Sequence, residues 1–123
     1  MTQSKFCTSI SCLDGRVQLP IIHWLKEKYN INYVDTITDY GVVKLFSDDI
    51  DNHEIKTNVL LSVNTHASKL IMVSGHHDCL GNKVSKEKQI TQIKNAVQII
   101  ESWNTSAKVI GVWINQDLEL EII

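Results

Sequence analysis

Four short runs rich in apolar and β-branched residues, Phe6 to Ser11, Tyr33 to Ile37, Leu70 to Ser74 and Val109 to Ile114, recur along the chain with helical patterns between them. That alternation is the strongest constraint on the fold. Strands joined through helices have the crossovers that parallel neighbours require, so the expected class is α/β: a central, mostly parallel sheet of four to five strands with helices on its faces. The fifth strand, at an edge, is expected over Leu118 to Ile123. No internal repeat, low-complexity segment or linker interrupts the pattern, and residues 1–123 read as one domain.

The helical stretches carry their own punctuation. Pro20 suits the first position of a helix bearing Ile21, Ile22, Trp24, Leu25 and Tyr29, and Asn30 suits a left-handed stop. Gly41 marks a turn beyond the second strand, and Ser47 to Asn52 reads as loop. Asp51, with Glu54 three residues later, makes a capping-box pattern ahead of Ile55, Val59, Leu60, Val63 and Ala67. Gly75 is expected to turn the chain after the third strand. Ser85 then caps a long helix with Ile90, Ile93, Val97, Ile100 and Trp103 on one stripe.

Composition excludes several classes of partner. A net charge of −2, with no Lys/Arg-rich face interleaved with aromatics, argues against nucleic acid. No apolar run approaches the ~20 residues that span a bilayer, so no membrane partner is expected. The N-terminus has no apolar segment of the secretory kind, and the expected address is cytoplasmic. There, three cysteines, an odd number, suit free thiols or metal ligands better than a disulfide framework.

Two stretches carry chemistry. The first is Cys12-Leu13-Asp14-Gly15-Arg16, where the first strand runs out; Arg16 is the only arginine of the chain, and beside Asp14 it suggests a fork-shaped, bidentate pair. The second is Gly75-His76-His77-Asp78-Cys79-Leu80-Gly81, directly after the third strand. In open α/β sheets ligands bind beyond the carboxyl ends of the strands, where strand order reverses. If strands one and three are neighbours, Cys12, His76 and Cys79 meet there. Two thiolates and an imidazole suit zinc with a fourth position open. His77 is the alternative imidazole; otherwise it faces solvent or shuttles protons. Zinc in such a site activates water for attack on a carbonyl-like carbon. Asp14, kept ionised by Arg16, could orient that water, or could swing onto the metal and close the site.

In this order and spacing the residues resemble the β-class carbonic anhydrases: Cys12-x-Asp14-x-Arg16 with Val17 and Pro20, then Gly75-His76-x-x-Cys79 about sixty residues later. The resemblance implies Zn2+ bound by Cys12, His76 and Cys79, with Asp14 and Arg16 as the catalytic dyad. It further implies reversible hydration of carbon dioxide to bicarbonate, and a homodimer or higher homo-oligomer. The chain departs from the family pattern in its shortness and in lacking the N-terminal helical arm. Leu80 also stands between Cys79 and Gly81, and only Thr38 to Gly41 occupy the place of a longer glycine- and asparagine-rich stretch. These departures keep two alternatives open: zinc chemistry on another small electrophile, or a non-catalytic zinc-binding domain closed by Asp14. A redox protein forming a Cys12–Cys79 bond is a separate alternative.

The remaining candidates read as structural. Cys7 alternates away from Cys12 and belongs to the core, as do Trp24, Trp103 and Trp113. His23, His53 and His66 are expected at the surface. Asp48, Asp49 and Asp51 form a solvated loop without calcium-loop spacing.

Overall fold

The computed structural model describes residues 4–48 and 52–123. Five strands, β1 (Phe6–Ser11), β2 (Tyr33–Thr38), β3 (Leu70–His76), β4 (Lys108–Ile114) and β5 (Leu120–Ile122), form one sheet in the order β2-β1-β3-β4-β5. The first four are parallel, and β5 returns antiparallel along β4. Between them lie α1 (Gln18–Tyr29), α2 (Val42–Asp48), α3 (His53–His66) and α4 (Lys86–Glu101). This is the α/β class that the alternation predicts. Among the described residues, no helix is long and apolar enough to cross a membrane.

β3 is buried along its whole length, which is why Leu70 to Val73 reads as an unbroken apolar run. Its side chains alternate between two cores. Leu70 and Met72 join Cys7, Ile21 and Leu25 beneath α1, while Ile71 and Val73 join Ile10, Val59 and Ile93 beneath the other three helices. Ile10, Ile71 and Ile93 are fully buried, each contributing roughly 1.5–3 kcal/mol of transfer free energy.

Several elements differ from expectation, each for a local reason. α1 starts at Gln18, after a 3-10 turn over Gly15–Val17, so Pro20 is its third residue; its missing N–H still falls among the unpaired groups of the first turn. Asn30 does close α1 in the left-handed conformation, with φ 54°. α2 was not expected: seven residues are too few to display a helical period, yet Val42, Val43 and Phe46 are buried on its inner face. Ser47 and Asp48 belong to that helix rather than to a loop. Asp51 of the expected capping box, with Asp49, lies outside the described residues, and Asn52 makes no side-chain cap. Ala67 ends α3 at φ 54° instead of extending its stripe.

Gly75 lies inside β3 rather than at a turn. A Cβ there would stand 2.5 Å from Gln89 Oε1 and 3.1 Å from Ile93 Cδ1, so the glycine lets α4 approach the sheet. The chain turns beyond His76, with Asp78 at φ 57°.

From β1 the chain crosses to β2 on one side and later to β3 on the other. Strand order therefore reverses at β1 and β3, which opens a crevice at their carboxyl ends.

Candidate metal centre

Cys12 is the first residue beyond β1 and His76 the last of β3, so the sheet itself brings them to that crevice. Cys79 follows three residues after His76. One ligand atom from each of Cys12, His76 and Cys79 lies within 4.8 Å of the others, and all three residues are buried. His77 is exposed and outside this group. Its backbone carbonyl accepts from His76 Nδ1 at 2.8 Å, which leaves Nε2 as the free ring nitrogen. That Nε2 is buried and has no hydrogen-bond partner among the described residues. A buried imidazole nitrogen held without a partner beside two thiols is suited to a metal ion, its other nitrogen being fixed by a carbonyl as in many zinc sites.

The thiols tell the same story. Their sulfurs are 3.9 Å apart, and burial, together with the Cys12 thiol, pushes Cys79 above the ordinary thiol range. The Cys79 thiol thus resists ionisation where it stands, and a divalent ion beside it reverses that balance. Backbone donors are already in place: the Gly41 N–H points to Cys12 Sγ at 3.5 Å, and those of Gly81 and Asn82 serve Cys79. Gly41 adopts φ 58°, and a Cβ on it would collide with the Gly81 carbonyl, so the loops after β2 and β3 can touch only through glycine. Cys7 is different. It sits alone in the α1 core, its thiol pushed up to about 12 by burial and by Asp35.

Asp14 and Arg16 form the pair that the sequence suggests. Arg16 Nη2 and Nε donate to Asp14 Oδ2 at 2.7 and 3.2 Å, Nε also reaches Oδ1 at 3.1 Å, and the Arg16 backbone N–H donates to Oδ1 at 2.9 Å. These hydrogen bonds hold the Asp14 carboxyl down at about 2. Arg16 also reaches across to the second motif, with Nη1 3.3 Å from Asp78 Oδ2 and Nη2 3.2 Å from the Asp78 carbonyl. Asp78 is thus part of the dyad's frame as well as a turn residue.

Three glutamines complete the site, none of them evident from the motifs. Gln18 Nε2 donates to the carbonyls of Cys12 and Asp14 at 2.8 and 3.2 Å and ties the first loop to α1. Gln89 grips the His76 backbone at both ends, accepting from its N–H at 3.2 Å and donating to its carbonyl at 2.9 Å. Gln92 accepts from Asn82 Nδ2 at 2.7 Å. Gln89 and Gln92 are buried, spaced three apart on the stripe that holds Ile93, Ala96 and Ile100. Amides on the apolar face of a helix were the available signal. Ile90, expected on that stripe, is only partly buried.

Residues 2–123 match the family described as "Putative carbonic anhydrase". The chain belongs to this family. Its fold is similar to that of the β-carbonic anhydrase CafA of the fungal pathogen Aspergillus fumigatus, with a TM-score of 0.56 and 14% identity over 99% of this chain and 76% of that one. A phosphate-loop protein studied in solution aligns at a TM-score of 0.42 and 14% identity, over 92% of this chain and 82% of that one. No curated protein matches the sequence. Carbonic anhydrase family membership and a buried Cys-His-Cys group capable of holding a metal are therefore established together.

Proposed function

We propose that this chain is a zinc-dependent carbonic anhydrase, interconverting carbon dioxide and bicarbonate at Cys12, His76 and Cys79. The observation that carries the reading is the position of Asp14. Its carboxylate is engaged by Arg16 through both oxygens, and Arg16 is in turn braced on Asp78. A carboxylate fixed in that way is withheld from the metal and stands ionised beside it, which favours an open centre over one closed by Asp14.

Zinc held by these ligands supplies a Lewis acid that makes water nucleophilic near neutral pH. The chain supplies the rest. Backbone N–H groups are directed at the Cys12 and Cys79 sulfurs, and the His77 carbonyl holds Nδ1 of His76, which leaves Nε2 for the metal. Asp14 accepts a proton-bearing hydrogen bond from the attacking water and so aligns it on carbon dioxide. Arg16 keeps Asp14 in that role and offers positive charge to the bicarbonate formed.

Leu13, Tyr40 and Leu80, in the loops that carry or touch the ligands, are large apolar residues with 55%, 48% and 60% exposure. Such a rim supports the expected homodimer or higher homo-oligomer, in which a second copy would cover the mouth of the site.

The deciding experiment measures zinc content and carbon dioxide hydration on the same sample. About one zinc per chain is expected. Activity should disappear in Cys12→Ser and fall at least about tenfold in Asp14→Asn, which keeps its zinc. Stoichiometric zinc with no hydration above buffer, at neutral and alkaline pH, would replace this reading with a non-catalytic zinc domain.

A further inference from the structure

The end of the sheet opposite the metal centre has a chemistry of its own. Lys5 directly precedes β1, Lys69 directly precedes β3 and Lys108 opens β4, so three neighbouring strands each begin at a lysine. All three line one cleft of about 540 Å³, within the range of small-molecule sites. The walls include Phe6, Ile31 and Leu70, with Tyr29 and His66, and among the described residues no carboxylate lines the cleft. Among the described residues, none of the three lysines lies within 4.0 Å of an aspartate or glutamate.

The frame of this cleft is fixed. The Lys5 N–H donates to Asn32 Oδ1 at 2.7 Å, its carbonyl accepts from Asn32 and Tyr33, and the Lys108 N–H donates to the Lys69 carbonyl at 3.0 Å. His66 is stacked on Phe6 with ring centroids 4.2 Å apart, and its Nδ1 meets Asp35 Oδ2 at 2.7 Å. The ends of α1 and α3 lie at the cleft, since Tyr29 and His66 are their last residues. Each helix end offers roughly half a negative charge, together about one, against three ammonium groups. The balance at the mouth stays positive in a chain whose net charge is −2.

We propose that this cleft is a second binding site, for an organic anion that joins an apolar body to a head of two negative charges. Apolar walls take the body and the three lysines the head. A bare inorganic anion leaves most of the volume unfilled, and a neutral apolar molecule leaves three ammonium groups unanswered.

Phenyl phosphate is the probe, with inorganic phosphate and phenol carrying the head and the body separately. Titration of the 15N-labelled full chain should give saturable shifts at Lys5, Phe6, Lys69 and Lys108, with phenyl phosphate binding at least about tenfold more tightly than either control. Each of Lys5→Gln, Lys69→Gln and Lys108→Gln should weaken it about threefold, and the triple variant about thirtyfold. Because the three side chains are exposed, these variants retain the parent's dispersed spectrum, which is recorded in the same titration. Cys12→Ser should bind phenyl phosphate like the parent, so failure of the metal reading leaves this result intact. Equal affinity for inorganic phosphate, undiminished binding in the triple variant, or no saturation with millimolar phenyl phosphate would each overturn the site.

Discussion

Gln89 does for His76 what a neighbouring strand would otherwise do. β4 serves one edge of the strand at this point, pairing Ile114 with His76, but β1 pairs with β3 only as far as Val73. The carboxamide of Gln89 meets the remaining N–H and carbonyl of His76 and so anchors the backbone that carries the imidazole. Gln89→Leu keeps the volume and removes both bonds. It should destabilise the metal-free protein by about 1–3 kcal/mol through the unpaired backbone groups, and weaken zinc binding by roughly 10- to 100-fold. Competition with a chromophoric chelator reads the second effect separately from the first. Unchanged zinc affinity would make Gln89 purely structural. The motif residues were legible because their spacing is local, whereas Gln89 and Gln18 act through the backbone atoms of the ligand loops, which no side-chain pattern marks. Only the anomaly of buried amides on an apolar stripe hints at the former.

At the scale of elements, the mostly parallel sheet followed from the alternation of patterns, whereas its strand order and the ends of its elements did not. Pattern reading stops at the last apolar residue, while strands continue as long as partners accept their hydrogen bonds, which is why β3 runs through Gly75 to His76. α2 escaped because a helix of two turns is fixed by what it buries, here Val42, Val43 and Phe46, more than by its own period. Ala67 shows the opposite error. It has high helix propensity yet closes α3 with φ 54°, a conformation that costs a residue with a Cβ roughly 1–2 kcal/mol. Ala67→Gly should therefore stabilise the protein by about 1 kcal/mol, seen as a rise of a few degrees in thermal midpoint. A fall would mean that the extra freedom of glycine in the unfolded chain outweighs the relief.

For the whole molecule, the ligands are far apart in sequence: Cys12 and Cys79 are separated by 67 positions. An unfolded chain holds no such site ready, so zinc taken up there, as proposed, would draw the folding equilibrium toward the native state. With free zinc 100-fold above its dissociation constant, the native state should gain about 2.7 kcal/mol. A chelator should remove that increment, and Cys79→Ser should show none. An equal midpoint with and without zinc would show that the ion is absent or bound equally by the unfolded chain. Arg16 adds a practical property at the same scale. It is the only arginine among 123 residues, so a guanidine-selective dicarbonyl labels this chain at one position. Asp14 and Asp78 raise its proton affinity and occupy its nitrogens, and modification needs the deprotonated, unengaged group. The mass gained by the intact protein over time is consequently a clock for how often the dyad comes apart, slow in the parent chain and faster in Asp14→Asn.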